Sequence, residues 1–166
     1  MSTLKKKLII LSANTSWYLY NFRASTIRAF VEQGHRVMCL SPKDDYSKRL
    51  QALGCEWMEL KVDNKGKNPF KDLSLFVRYL LVYGKVKPFI AFHFTVKNII
   101  YGTLAAFLFN IPVINNITGL GTAFINSNFT SRVVQFLYKL SQPLAQKIFC
   151  QNQEDLNFLE KYGLVS

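Results

Sequence analysis

The sequence lacks any run of about 18 apolar residues, the length that a membrane-spanning helix needs. Lysines 5–7 precede the apolar segment 8–11, but four apolar residues are too few for a signal-peptide core. Cysteine is scarce as well. An odd, scattered set (Cys39, Cys55 and Cys150) argues against a disulfide framework. We therefore predict a cytoplasmic protein whose cysteines are reduced and buried.

Carboxylates are absent between Asp72 and Glu154, an interval that carries seven Lys and Arg residues. Neither a catalytic pair of carboxylates nor an acidic metal cage can be built from this interval, so we expect no metal site. Over all 166 residues the net charge is +11, which indicates an anionic partner such as nucleic acid, a lipid surface or a phosphorylated substrate. The basic residues are spread over several elements without a recognition motif, which argues against nucleic acid.

Glycine is missing from the loop that follows the first predicted strand, residues 13–20. A dinucleotide-binding turn needs glycines there, so that type of site is excluded. The loop and the helix after it instead offer Tyr18 and Asn21, whose polar and aromatic groups suit a sugar or a lipid-linked acceptor. Arg23 could bind a phosphate oxygen, or it could be a surface arginine beside core aromatics.

Strand-length apolar runs alternate with helical periodicity along the whole chain. The predicted strands are 7–12, 36–41, 56–62, 88–94, 112–117 and 147–151. Gly34, Gly54, Gly84 and Asn110 are each predicted to end a helix in the left-handed conformation. This pattern predicts an α/β fold, a Rossmann-like doubly wound parallel sheet of about six strands with helices on both faces.

Two predicted helices have apolar faces, which we expect to pack on the sheet. The faces consist of Leu73, Phe76, Val77, Leu80 and Leu81, and of Val133, Phe136, Leu137, Leu140 and Leu144. Basic residues and tyrosines occupy the other sides. We predict an anionic-membrane surface there, formed by Arg78, Lys85, Lys87, Arg132 and Lys139. A solvated basic surface is the alternative.

Two further loops follow predicted strands and carry candidate site residues. After the fourth strand, His93, Thr95 and Lys97 alternate with apolar residues, so all three could project to one side. His93 could contact a sugar or relay a proton, or it could be structural, and Lys97 could neutralise a phosphate. After the fifth strand, Gly119 and Gly121 allow a tight turn around Leu120, either as part of a binding site or as a structural turn.

Segments 95–106 and 111–124 resemble the N-terminal domain of family 4 glycosyltransferases, and the resemblance extends over almost the whole chain. It is closest to bacterial enzymes that extend undecaprenyl-diphosphate-linked sugars for O-antigen, capsule or glycoprotein assembly. Tyr20-Asn21-Phe22-Arg23 resembles their first-loop motif. Many relatives have Lys-Pro-Asn where this chain has Lys97-Asn98-Ile99.

The resemblance implies the N-terminal half of a GT-B fold, in which residues 1–166 form one Rossmann-like acceptor-binding domain. A C-terminal donor-binding domain is absent from these residues and would act in cis or in trans. A helix end at Gly163 is predicted just before the last residues, as if another strand followed. The implied partners are a nucleotide-sugar donor, a lipid-linked saccharide acceptor and the anionic inner face of the bacterial cell membrane.

The implied activity is retaining, metal-independent sugar transfer from a UDP-sugar without a cofactor, and the half alone should be inactive. In that interpretation Gly119, Leu120 and Gly121 shape the cleft floor, and Arg23, Thr95 and Lys97 contact phosphates. His93 is the catalytic candidate, and Asn116 and Thr118 complete the substrate-binding set. The alternative is a non-catalytic subunit that anchors a separate donor domain to the membrane.

Overall fold

A computed structural model describes residues 6–63, 68–119 and 129–163. Its sheet has six parallel strands: β1 (Leu8–Ser12), β2 (Arg36–Ser41), β3 (Glu56–Glu59), β4 (Ile90–Phe94), β5 (Val113–Ile117) and β6 (Lys147–Cys150). Each lies within its predicted range. The strand order β3-β2-β1-β4-β5-β6 is that of a doubly wound Rossmann-like sheet, so the predicted fold class is confirmed.

Helices cover both faces of this sheet. The described helices are α1 (Ser16–Glu32), α2 (Ser47–Gln51), α3 (Pro69–Val86), α4 (Val96–Leu108), α5 (Phe129–Ser141) and α6 (Gln153–Lys161). Successive side chains of a strand point to opposite faces of the sheet. In β1, Ile9 and Leu11 accordingly pack with α1 and α2, whereas Ile10 packs with α3 and α4. This alternation places two hydrophobic cores back to back across the sheet.

Helix ends agree with the sequence at Gly34, Gly54, Asn110 and Gly163, all of which have positive φ. The prediction was wrong at Gly84, because α3 continues to Val86 and Lys87 takes the left-handed position. A Cβ on Gly84 would lie 3.3 Å from the ring of Phe109. Gly84 is therefore an interior residue of α3 next to the Phe109 side chain, not the residue that ends the helix.

The predicted core faces of α3 and α5 were right only in part. In α3, Phe76 and Leu80 pack against the core as predicted, but Leu73, Val77 and Leu81 are exposed, and the fully buried residues are Leu75, Tyr79 and Tyr83. In α5, Leu137 packs against the core beside the buried Tyr138, whereas Val133, Phe136 and Leu140 are exposed. Tyrosines thus take part of each packed face, and two apolar stripes are left at the surface.

The cysteines largely follow the prediction. Cys39 and Cys55 are free and buried, with their sulfur atoms 3.5 Å apart, whereas Cys150 is half-buried. The hydrogen bond from Cys39 lowers the pKa of the Cys55 thiol, and this same bond, together with burial, raises the pKa of Cys39.

Candidate functional site

A cleft of about 190 Å³ opens at the carboxyl ends of β1, β4 and β5. The residues that line it are Asn14, Val62, Thr95, Val96, Lys97, Thr118 and Gly119. The strand order reverses between β1 and β4, and open α/β sheets bind ligands at such a point. Four predicted site residues, Thr95, Lys97, Thr118 and Gly119, therefore come together at this position.

A second, larger cavity of about 690 Å³ lies beside β6 and α6. None of the predicted site residues line it. Size alone is therefore a poor guide, and the convergence of three strand-end loops makes the smaller cleft the candidate site.

Lys97 has a partner that the sequence does not reveal. Its Nζ donates to Asp72 Oδ1 at 2.6 Å, and both side chains are about one-fifth exposed. Asp72 lies in the first turn of α3, 25 residues earlier, so no local spacing indicates the pair. Burial raises the pKa of Tyr101, and the neighbouring Asp72 charge and a hydrogen bond to it act in the same direction. The Lys97–Asp72 ion pair therefore lies at the edge of the cleft.

Thr95 precedes α4 with φ 68° and ψ 146°, a backbone conformation that side-chain-bearing residues rarely adopt. Such strain costs about 1–3 kcal/mol and persists only where the surroundings hold it. Asn98 Nδ2 donates to Thr95 Oγ1 at 2.9 Å, and Asn98 Oδ1 accepts from Tyr79 at 2.7 Å. The buried side of α3 therefore holds the strained residue that lines the cleft.

His93 lies in the interior of the protein, not at the cleft surface. The side chain is fully buried, Nδ1 is 2.6 Å from Ser12 Oγ, and Nε2 is 3.2 Å from the hydroxyl of Tyr83. Burial lowers the pKa of His93 to about 3, so the imidazole is neutral at physiological pH. Of the roles that the sequence left open for His93, direct contact with a sugar is not available in this arrangement, whereas a structural role fits it.

His93 belongs to a buried hydrogen-bond network that reaches the cleft. The Tyr79 hydroxyl lies 2.7 Å from Asn98 Oδ1 and 2.8 Å from Ser12 Oγ, and Ser12 in turn is bonded to His93 Nδ1. The hydroxyl of Tyr83 is bonded to the other ring nitrogen, Nε2. Both nitrogens of the neutral imidazole therefore have a partner, one nitrogen as donor and the other as acceptor.

A second group of predicted residues meets on the α1 side of the sheet. Arg23 donates from Nη2 to the hydroxyl of Tyr18 at 2.8 Å, and its guanidinium lies 4.5 Å from the ring centre of Phe94. Asn116 is the register partner of Phe94 on β5. Arg23 Nε and Asn116 Oδ1 are buried and have no hydrogen-bond partner among the described residues. A donor and an acceptor thus lie near the same aromatic ring.

The other predicted residues are placed as follows. Asn21 is exposed and donates to the carbonyl of Trp17 within α1. Leu120 and Gly121 lie outside the described residues. The five residues of the predicted membrane surface, Arg78, Lys85, Lys87, Arg132 and Lys139, are all exposed.

No group of three or more His, Cys, Asp or Glu side chains that could hold a metal ion occurs in the described ranges. Among the helices of the same ranges, none is both long and apolar enough to cross a bilayer.

Comparison with known proteins agrees with this geometry. The family model described as "Glycosyl transferase 4-like" matches residues 8–152. A curated Campylobacter jejuni relative, N,N'-diacetylbacillosaminyl-diphospho-undecaprenol alpha-1,3-N-acetylgalactosaminyltransferase, is 28% identical over 151 residues. The match covers 88% of this chain and 40% of that protein, so the chain spans well under half of the relative's length.

Solved structures share the fold at low sequence identity. A glycosyltransferase from Rickettsia africae superposes with a TM-score of 0.68 at 15% identity, covering 98% of this chain and 41% of that one. MurG from Acinetobacter baumannii gives 0.61 at 17% identity, covering 88% and 42%. From the matched family model, the Rossmann-like sheet and the strand-end cleft, we conclude that the chain belongs to the glycosyl transferase 4-like family.

Proposed function

We propose that the chain is the acceptor-side part of a retaining glycosyltransferase that moves a sugar from a nucleotide sugar to a lipid-linked saccharide. The observation that carries this proposal is the convergence of three strand-end loops on one cleft, with Thr95, Lys97 and Thr118 facing it. The name of the Campylobacter relative, which specifies a diphospho-undecaprenol acceptor, supports the substrate class.

In this proposal Lys97 neutralises a phosphate oxygen of donor or acceptor, and Arg23 contributes a second cation from the α1 side. Asp72 positions Lys97 at the cleft, and an ammonium group carries three N–H donors in all. Donor binding falls mainly to a second domain, in cis or in trans, and no metal or cofactor is required.

The test is transfer of labelled sugar from a nucleotide sugar to a polyprenyl-diphosphate-linked saccharide, measured with the product of the intact gene. We expect Lys97→Met to lower transfer at least tenfold. Asp72→Asn separates the two roles of Lys97, because it removes the ion pair but keeps the cation. Lys147→Met, at the start of β6 and the opposite end of the sheet, is the matched control.

Substantial transfer by Asp72→Asn but not by Lys97→Met supports the phosphate contact. Equal loss in both variants would show that Lys97 acts only as the partner of Asp72. Failure of the wild-type protein to use any polyprenyl-diphosphate acceptor would refute the substrate class. Retention is read from the anomeric coupling constant of the product by NMR.

We further propose peripheral binding to the cytoplasmic face of an anionic membrane. The five exposed basic residues predicted from the sequence border the apolar stripes of α3 and α5, and each such charge near an anionic surface contributes about 1 kcal/mol. Flotation with phosphatidylglycerol vesicles should weaken when Arg78, Lys85 and Lys87 become Glu. Reversal of three exposed charges on the α1–α2 side (Arg28, Lys43 and Lys48) is the control, and equal weakening by both sets would contradict this surface.

A further inference from the structure

Helix α3 presents two neighbouring stripes to solvent. The apolar stripe consists of Phe70, Leu73, Val77 and Leu81, which are 80%, 58%, 43% and 68% exposed. The polar stripe, displaced by one residue, consists of Lys71, Ser74 and Arg78. Both follow the three- and four-residue spacing that keeps side chains on one line of a helix. Four large apolar side chains in a row are an unusual exposed surface and indicate a binding partner.

Two grooves follow these stripes. One of about 550 Å³ is lined by the apolar stripe together with Ser74 and Arg78. The other, about 430 Å³, is lined by Lys61, Val62, Asp63, Lys71, Ser74 and Arg78. Ser74 and Arg78 belong to both grooves, and Val62 belongs to both the second groove and the cleft. The apolar groove, the second, basic groove and the cleft therefore lie next to one another in that order.

The net positive charge of the second groove favours an anionic ligand. Lys61, Lys71 and Arg78 line it with one carboxylate, Asp63, whose Oδ2 lies 2.9 Å from Lys71 Nζ. Within the described part of the chain, no ion pair involves Arg78 or Lys61. After the Asp63–Lys71 pair is subtracted, two cations are available to an anionic ligand.

We propose that this path binds a polyprenyl diphosphate, with the diphosphate between Lys61 and Arg78 and the isoprenoid chain along the apolar stripe. The saccharide at the far end of the diphosphate then extends past Val62 into the cleft. A ligand with an apolar tail and an adjacent dianionic group matches both the order and the charge of the compartments. This assignment rests on the proposed function, because it places the acceptor of that reaction.

The experiment measures binding of farnesyl diphosphate, a water-soluble polyprenyl diphosphate, to the chain by calorimetry. We expect Arg78→Ala and the double variant Leu73→Ser/Val77→Ser each to weaken binding at least tenfold. Because these side chains are exposed, the unfolding midpoints should stay close to that of the wild type. Arg28→Ala on α1 and Leu108→Ser at the end of α4, which is 60% exposed, are the matched controls and should change binding less than twofold.

Three results would overturn the path. The α3 variants could bind farnesyl diphosphate like the wild type, inorganic diphosphate could bind as tightly as farnesyl diphosphate, or α3-dependent binding could occur only with phosphatidylglycerol vesicles. If the α3 variants bind farnesyl diphosphate like the wild type, the proposed acceptor class still holds and only the binding position on α3 is refuted. Absence of wild-type binding, together with absence of transfer to any polyprenyl-diphosphate acceptor, would refute the proposed function as well.

Discussion

The buried imidazole of His93 makes a quantitative prediction about stability and pH. Its pKa is about 3 in the folded protein, against 6.5 for the same group exposed to water. Below pH 6.5 the unfolded chain binds a proton at this imidazole that the folded chain does not. The unfolding free energy must therefore fall as pH decreases from 6.5 towards 3.

The magnitude follows from the two pKa values. At pH 5 almost every unfolded molecule carries the proton and almost no folded molecule does, so folding loses about 2 kcal/mol relative to pH 8. This is a large part of the stability of a small domain, typically about 5–15 kcal/mol. Urea unfolding at pH 5, 6, 7 and 8, followed by circular dichroism, measures it directly.

His93→Gln is the variant that isolates this effect, because glutamine does not titrate and every other ionisable group is kept. Its unfolding free energy should lose about 2 kcal/mol less than the wild type between pH 8 and pH 5. Should the variant fail to fold, the ring nitrogens of wild-type His93 can be followed by NMR. We expect the ring to stay neutral at pH 5, because burial lowers its pKa to about 3. Parallel pH dependence of the two proteins, or a protonated ring at pH 5, would refute the buried-network interpretation.

Two matched pairs of variants test the same region by chemical denaturation. Gly102→Ala should destabilise the protein by about 1–3 kcal/mol, because the added Cβ would lie 2.4 Å from the His93 ring. Gly84→Ala, by contrast, should be neutral or stabilising by up to about 1 kcal/mol, because its Cβ would make only a 3.3 Å contact and alanine favours a helix interior. Tyr79→Phe and Tyr83→Phe should each cost about 1–3 kcal/mol by leaving buried groups unpaired. Only Tyr79→Phe should also lower sugar transfer, and equal transfer by the two would contradict the link to the cleft.

The sheet and the positions of its strands could be predicted because strand-length apolar runs separated by helical periodicity are a property of the sequence itself. The convergence of Thr95, Lys97 and Thr118 could be predicted for the same reason. In a parallel sheet the carboxyl ends of strands meet at one edge, so residues just after strands become neighbours without any knowledge of side-chain packing.

The helix faces could be predicted only in part, because hydrophobicity favours leucine over tyrosine for burial. Tyr79 and Tyr83 are buried since their hydroxyls find partners in Ser12, Asn98 and His93, one of them 67 residues away in the chain. No pattern within one helix indicates such a partner. The same long separation hid the Asp72 partner of Lys97 and the Ser12 partner of His93.

Helix α3 links the two halves of the proposed mechanism through its opposite sides. Its buried side supplies Tyr79, whose hydroxyl holds Asn98 and through it the strained Thr95 in the cleft. Its exposed side carries the apolar stripe and Arg78, where we place the polyprenyl diphosphate. Because both sides belong to one 18-residue helix that packs on α4, the distance between the bound diphosphate and the cleft is set by a rigid element. A lipid-linked saccharide held at Arg78 would therefore present its sugar end to the cleft at a fixed reach, whatever the length of the isoprenoid chain.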